Sequence, residues 1–176
     1  MPPQWVSAVA GKAQVSELDG KKVFEKLPNE TLFKRIRIFM GPSDWSNYTV
    51  EADIRINEKR RQMGDAGIIA QRYTLFAFGN NQRLEMNAWQ PEVQRAASAP
   101  YEFKPNVWYR LKLRVQNQAD GKTRIQGKAW PTGEPEPEAW PIDRVDPIPN
   151  RQGSPGIFAD AQFGVYFNNI KVTPNQ

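Results

Sequence analysis

The chain has 176 residues with neither cysteine nor histidine, which excludes a thiol nucleophile, a thiolate or imidazole metal site and a Ser-His-Asp triad. Its length is that of one domain, and we expect residues 1–176 to share a single core. The net charge of +5 comes from 24 basic and 19 acidic residues interspersed along the chain, and the basic cluster Lys59-Arg60-Arg61 is too short to indicate a nucleic-acid partner.

Strand patterns recur along the first half of the chain, and no segment shows a convincing helical periodicity. Residues 13–26 are typical of two strands that meet at Asp19-Gly20, because both positions of a tight hairpin turn need positive φ. Residues 33–39 alternate, and Ile36 and Ile38 lie on the face opposite Phe33, Arg35, Arg37 and Phe39. Residues 48–56 give the clearest strand, with Val50, Ala52, Ile54 and Ile56 on one face and Thr49, Glu51, Asp53 and Arg55 on the other.

The second half continues in the same way. Residues 67–78 are nearly all apolar apart from Gln71-Arg72, which predicts either one strand buried on both faces or a bent pair. After a turn at 79–81, alternation places Leu84, Met86 and Ala88 opposite Arg83, Glu85, Asn87 and Trp89. Asp120-Gly121 closes a second hairpin between strands at 107–115 and 123–130, and the last strands are expected at 156–161 and 163–172.

Many short strands, hairpin turns and one polar face per strand predict an all-β fold, a two-layer antiparallel β-sandwich. Segments 91–105 and 131–154 are expected to be long loops. Loops of that length in a compact domain often carry function.

Two segments resemble the concanavalin A-like lectin/glucanase (jelly-roll) superfamily: SNYTVEADIR at 46–55 and GVYFNNIKV at 164–172. The chain is also similar to the sandwich domain appended to bacterial pyrroloquinoline-quinone-type β-propeller repeat proteins. That resemblance is carried by VSELDG (15–20), GIIAQRYTL (67–75), WYRLK (108–112), GKAWP (127–131), GEPEPEAW (133–140) and GSPG (153–156). It implies a jelly-roll sandwich, an upstream β-propeller partner, and a bacterial, periplasmic or extracellular location.

The polar strand faces predict a ligand surface. If the strands pair in chain order, the faces of 48–56, 83–89, 108–114 and 124–130 form one continuous surface. Amide and guanidinium groups beside an exposed indole suit a sugar, because hydroxyls take directional hydrogen bonds while the ring stacks. The candidate ligand-binding residues are Arg72, Arg83, Glu85, Asn87, Trp89, Gln126, Lys128 and Trp130. Arg72 interrupts an apolar run, and if it is buried we expect it to form a salt bridge with Glu85 or Asp53.

These observations favour a non-catalytic binding or accessory module of a larger exported protein, with a glycan or polysaccharide as its partner. One alternative is a glycoside hydrolase, for which Glu51 and Asp53 share a strand face at about the spacing of a retaining pair. Neighbouring arginine-bearing strands make ion pairs the simpler role for both acids. A second alternative is a structural spacer whose polar face binds nothing.

We expect no cofactor. The superfamily resemblance implies a calcium site with an aspartate in the last strand, and the corresponding residue is Asn168, a weaker, neutral ligand, so an empty site is expected. Met1-Pro2-Pro3 leads straight into mixed sequence, and neither a signal peptide nor a membrane span is predicted.

Overall fold

The computed structural model describes residues 11–28 and 35–176. Within these ranges the chain forms β-strands and one 3-10 turn, Val93–Arg95, and it contains no helix long and apolar enough to span a bilayer. The strands, in chain order, are β1 (Ala13–Leu18), β2 (Lys21–Lys26), β3 (Ile36–Phe39), β4 (Tyr48–Ile56), β5 (Glu58–Lys59), β6 (Gln62–Met63), β7 (Asp65–Ala70), β8 (Tyr73–Phe78), β9 (Arg83–Ala88), β10 (Ala97–Pro100), β11 (Trp108–Asn117), β12 (Thr123–Pro131), β13 (Ile142–Asp146), β14 (Gly156–Asp160) and β15 (Val165–Pro174).

Two large antiparallel sheets pack against each other. The seven-stranded sheet has the order β1-β2-β15-β4-β11-β12-β13, and the six-stranded sheet has the order β10-β9-β8-β7-β14-β3. The strands β5 and β6 form a separate small hairpin. This architecture confirms the predicted all-β sandwich.

The core lies between the large sheets, on the inward strand faces. Its fully buried side chains include Val50, Ala52, Ile54, Leu111 and Leu113 from one sheet and Ile68, Leu75, Leu84 and Met86 from the other. Each valine, isoleucine, leucine or methionine among them contributes roughly 1.5–3 kcal/mol on burial. Gly127 of β12 allows a close approach of the sheets, because a Cβ there would lie 2.6 Å from Cδ1 of Leu75.

Two turns test the predictions of a hairpin at residues 19–20 and of one or two strands in residues 67–78. Asp19 and Gly20 have φ of 53° and 72°, as predicted for a tight hairpin. Gln71 and Arg72 also have positive φ, 46° and 68°, so residues 67–78 are two strands joined by a turn without glycine. The buried side chain of Gln71 stabilises this turn by donating hydrogen bonds to the Asn117 side chain (3.1 Å) and the Asn150 carbonyl (3.2 Å).

Two segments without a strand pattern nevertheless contain strands. Segment 91–105 contains the 3-10 turn and β10, and segment 131–154 contains β13, so the prediction of two long irregular loops is wrong. Backbone pairing with a neighbouring strand, which local sequence does not reveal, creates both strands. The basic cluster 59–61 lies at the tip of the β5–β6 hairpin.

Candidate functional site

The predicted polar surface is divided between two sheets. The strands β4, β11 and β12 belong to the seven-stranded sheet, whereas β9 belongs to the six-stranded sheet. The outward faces of the two sheets point in opposite directions, so the prediction of one continuous surface is wrong. Alternation identifies the polar face of a strand but not the sheet that the strand joins.

The outer face of the seven-stranded sheet is crossed by ion pairs. Asp53 is 3% exposed, and it accepts hydrogen bonds from Arg110 (2.7 and 2.9 Å) and from the Asn169 side chain (2.6 Å). The side chain of Lys112 lies 3.4 Å from Glu51. The two acids of the hydrolase alternative therefore sit in contacts that stabilise the sheet.

Residues 132–140 lie across the same face. Glu136 forms ion pairs with Lys112 (2.9 Å) and Lys128 (2.7 Å). Burial disfavours the ionised form of Glu136, but hydrogen bonds from both lysines outweigh it and hold its pKa below the usual value. The Nζ of Lys128 also lies 4.2 Å from the ring centroid of Trp140. This segment therefore covers part of the sheet.

Three predicted ligand residues on the seven-stranded sheet are buried or bonded to other residues of the chain. Lys128 and Trp130 are 3% and 7% exposed, so the Trp130 indole is too buried to stack on a sugar. The side chain of Gln126 donates a hydrogen bond to Asp143 (3.2 Å).

Arg72 is not a buried cation. It is an exposed turn residue between β7 and β8, and its expected acidic partners are engaged elsewhere, Glu85 with Arg83 and Asp53 with Arg110. The expected salt bridge is therefore wrong, because the apolar run is two strands and not one.

Four predicted ligand residues do lie together on the outer face of the six-stranded sheet, and we call Arg83, Glu85, Asn87 and Trp89 the β9 row. The Nε of Arg83 lies 2.7 Å from Glu85, and the side chain of Asn87 donates to Glu85 at 2.8 Å. Trp89, just beyond β9, is 46% exposed. The row thus presents one accessible aromatic ring beside charged and amide groups.

A cavity of about 390 Å³ lies beside the β9 row. Its floor includes Glu85, Asn87 and Ser98, and its wall is formed by the segment that contains Glu92 and Val93. Sites for small ligands range over roughly 300–1,000 Å³, so the cavity has room for a saccharide unit.

The wall of the cavity is fixed by a buried polar cluster. Arg95 lies 2.7 Å from Asp146, with side-chain exposures of 6% and 0%. The Tyr73 hydroxyl donates to the same carboxylate at 2.8 Å. The cluster ties the 3-10 turn to β13.

Arg37 joins the site although we did not name it as a candidate from the sequence. Its guanidinium carbon lies 4.8 Å from the ring centroid of Trp89 and 5.6 Å from that of Phe158. Burial, and then the nearby positive charge of Arg35, lower the pKa of Arg37. The alternation of 33–39 placed Arg37 on a polar face, but nothing local showed that β3 and β9 share a sheet.

A pair of acids also lies on this face. Asp65 and Asp160 are direct partners in the register of β7 and β14. The pKa of Asp65 is raised to about 6, mainly by burial; the hydrogen bond from the Gly79 N–H lowers it, and the negative charge of Asp160 raises it. Asp160 itself lies 2.8 Å from Arg35.

The weak calcium candidate, Asn168, uses its side-chain oxygen to accept a hydrogen bond from the backbone N–H of Asn169 (2.7 Å). It sits at an irregularity in the pairing of β15 with β4. In residues 11–28 and 35–176 no group of three or more acidic side chains is placed to hold a metal ion.

Solved structures with this fold are found at low sequence identity. The PL-14 alginate lyase from the marine Aplysia kurodai aligns with a TM-score of 0.58 and 10% identity, over 93% of this chain and 87% of its own. The carbohydrate recognition domain of Emp47p aligns with a TM-score of 0.54 and 12% identity, also over 93% and 87%. A bifunctional GH43-CE protein of Bacteroides eggerthii has a TM-score of 0.53 and 14% identity over 94% of this chain and 24% of its own.

These alignments confirm the predicted fold, a jelly-roll β-sandwich. No protein-family model and no curated protein matches the sequence. The resemblance to sandwich domains of propeller proteins therefore stays a prediction.

Proposed function

We propose that this chain is a non-catalytic carbohydrate-binding module whose site is the outer face of the six-stranded sheet. The observation that carries the proposal is the exposed Trp89 in line with three polar side chains beside a cavity of about 390 Å³. An indole stacks on the apolar face of a sugar ring, while carboxylate, amide and guanidinium groups form directional hydrogen bonds with its hydroxyls.

The β9 row is held in place before a ligand arrives. Glu85 forms an ion pair with Arg83 and accepts a hydrogen bond from the side chain of Asn87, its two neighbours in the row. The cavity wall is fixed by the Arg95–Asp146 pair. Preorganised groups lose less conformational entropy on binding, which raises affinity.

The fold comparisons support this proposal. The names of two proteins with the same fold refer to carbohydrate, one as a carbohydrate recognition domain and the other as an alginate lyase. This chain has an indole and polar groups of the kind that sugar binding requires.

The proposal is tested by screening the purified protein on a glycan array. We expect saturable binding that Trp89→Ala weakens about tenfold or more, since one lost aromatic stacking contact costs roughly 1.5 kcal/mol. Trp45→Ala is the matched control, because Trp45 is 43% exposed and packs against Tyr48, outside the β9 row. Failure to bind any glycan would overturn the proposal, and equal losses in the two variants would remove the site from the β9 row.

Glycoside hydrolysis is the second candidate, favoured by one observation. Asp65 has a raised pKa, as a general acid requires, and it faces a second carboxylate. The ion pair of Asp160 with Arg35 opposes this role, because it engages one of the two acids. Release of new reducing ends from a bound oligosaccharide, abolished in Asp65→Asn, would establish hydrolysis and contradict the non-catalytic proposal.

We further propose that the module serves a larger exported bacterial protein with an upstream β-propeller, in the periplasm or outside the cell. The support is the sequence resemblance of segments such as 67–75 and 133–140. Fractionation of the native cells with an antibody against this domain checks the location, and recovery in the cytoplasm would contradict it.

A further inference from the structure

The outer face of the six-stranded sheet carries three arginines whose surroundings differ. Arg35 lies 2.8 Å from Asp160, and Arg83 lies 2.7 Å from Glu85. The side chain of Arg37 forms no ion pair or hydrogen bond with any residue of 11–28 or 35–176, and its Nε is buried without a hydrogen-bond partner. Of the three cations, Arg37 is thus the one whose charge the described chain does not balance.

The environment of Arg37 makes this imbalance costly. Its guanidinium carbon lies 4.8 Å from the Trp89 ring centroid and 5.6 Å from that of Phe158, and Phe158 is 5% exposed. Burial lowers the pKa of Arg37, and the like charge of Arg35 acts in the same direction. A partly desolvated cation without an anion is unfavourable, and an anion beside it gains more than it would in open water.

The rings around Arg37 are held by the sheet. Phe158 of β14 and Phe76 of β8 meet at 5.0 Å, edge to face, across Gly67 of β7. A Cβ on Gly67 would lie 2.6 Å from the Leu75 carbonyl oxygen. Packing within the sheet therefore holds the Phe158 ring that lies next to the Arg37 guanidinium.

We propose that the site binds an anionic glycan and that Arg37 binds the carboxylate or sulfate of the sugar that stacks on Trp89. This inference rests on the proposed function and adds the class of ligand. A planar guanidinium binds two oxygens of a carboxylate or sulfate at once, which gives both charge compensation and orientation. Because Arg37 contacts Trp89, the acidic group of a stacked sugar comes within its reach.

The test measures calorimetric affinity for a panel of uronic-acid oligosaccharides, each paired with its carboxyl-reduced, neutral counterpart and with a sulfated one. We expect the wild-type protein to bind at least one acidic form about tenfold more tightly than its neutral counterpart, a preference worth roughly 1.4 kcal/mol. Arg37→Gln is expected to abolish the preference. Arg37→Lys keeps the positive charge but loses the planar set of N–H donors of the guanidinium. We expect this variant to retain only part of the preference.

Lys22→Gln is the control, because Lys22 is an exposed lysine of the seven-stranded sheet and its loss changes the net charge equally. It should bind as the wild type does. Equal losses in Lys22→Gln and Arg37→Gln would indicate general charge attraction and overturn the inference. Equal affinity for acidic and neutral forms would also overturn it while leaving glycan binding intact, whereas no binding to any glycan would overturn the proposed function itself.

Discussion

The carboxyl group of Asp65 links a single residue to the pH dependence of the fold. Its pKa is raised by burial from 3.8 to about 6. The unfolded chain releases this proton near the lower value and the folded chain near the higher one, so folding takes up a proton between them. Stability from this group is therefore fully present below the lower value and is lost as pH rises toward the higher one.

Asp65→Asn removes this titration and keeps an oxygen to accept the hydrogen bond from Gly79. We expect the variant to be more stable than the wild type at neutral pH by about 1–2 kcal/mol, after allowance for solvent screening. The difference should disappear below about pH 4. Urea denaturation at a series of pH values measures it, and parallel stability profiles of the two proteins would contradict the assignment.

The β9 row could be predicted residue by residue, because alternation around buried Leu84 and Met86 places Arg83, Glu85 and Asn87 outward. The same alternation also selected Trp130, which is covered. Residues 132–140 fold back over β12, where Glu136, Pro137 and Trp140 contact Lys128, and strand alternation carries no information on such a contact.

At the scale of structural elements, the 3-10 turn is anchored by one buried side chain, Arg95. Arg95 of this turn and Asp146 of β13 form a buried ion pair, and Tyr73 of β8 donates to the same carboxylate. The three side chains connect the cavity wall to both sheets. We therefore expect stability and the proposed ligand binding to be coupled at this point.

Arg95→Met leaves the Asp146 carboxylate buried without its cation. We expect a loss of about 3–5 kcal/mol in the free energy of unfolding, the usual effect of removing one partner of a buried pair. We also expect weaker glycan binding, because the wall is no longer fixed. Chemical denaturation and hydrogen exchange of residues 91–96 measure the two effects.

The double variant Arg95→Met with Asp146→Asn is the control, since it removes both charges. It should recover part of the lost stability. A loss below about 1 kcal/mol in Arg95→Met would show that the pair contributes little.

The strands themselves were largely predictable. The alternating segments became β4, β9 and β11 with the expected faces buried. The prediction was incomplete at Gln71-Arg72, where a turn formed without the usual glycine or asparagine, and in β10 and β13, whose short segments depend on pairing with longer neighbours.

For the whole molecule, the arrangement of the sheets was the part that sequence could not supply. Chain order suggested that β4 and β9 contribute to one polar surface, but β4 pairs with β11 and β15 in one sheet, and β9 pairs with β8 and β10 in the other. The pairings of β4 join segments far apart in sequence, and they are selected by the fit of the whole core. Arg37 and Trp89 meet for this reason, although 52 positions (89 minus 37) separate them.

The same topology predicts one cooperative unit. The last strand, β15, lies between β2 and β4, and the rings of Phe167 and Phe24 pack at 6.3 Å. Deleting residues 165–176 would detach the β1–β2 hairpin and uncover the core beside β4. We expect this deletion to abolish the folded state, whereas deleting residues 1–18, which end with the edge strand β1, should leave a folded protein of lower stability.

Denaturation monitored by both tryptophan fluorescence and circular dichroism measures the outcome. Coincident single transitions are expected for the full chain and for the variant that lacks β1. Two separate transitions in the full chain, or a folded protein after loss of β15, would show that the sheets are stable independently. The proposed binding face of the six-stranded sheet would then fold without the seven-stranded sheet. The coupling of stability to ligand binding that we infer for the Arg95–Asp146 pair would then be limited to the residues around that pair.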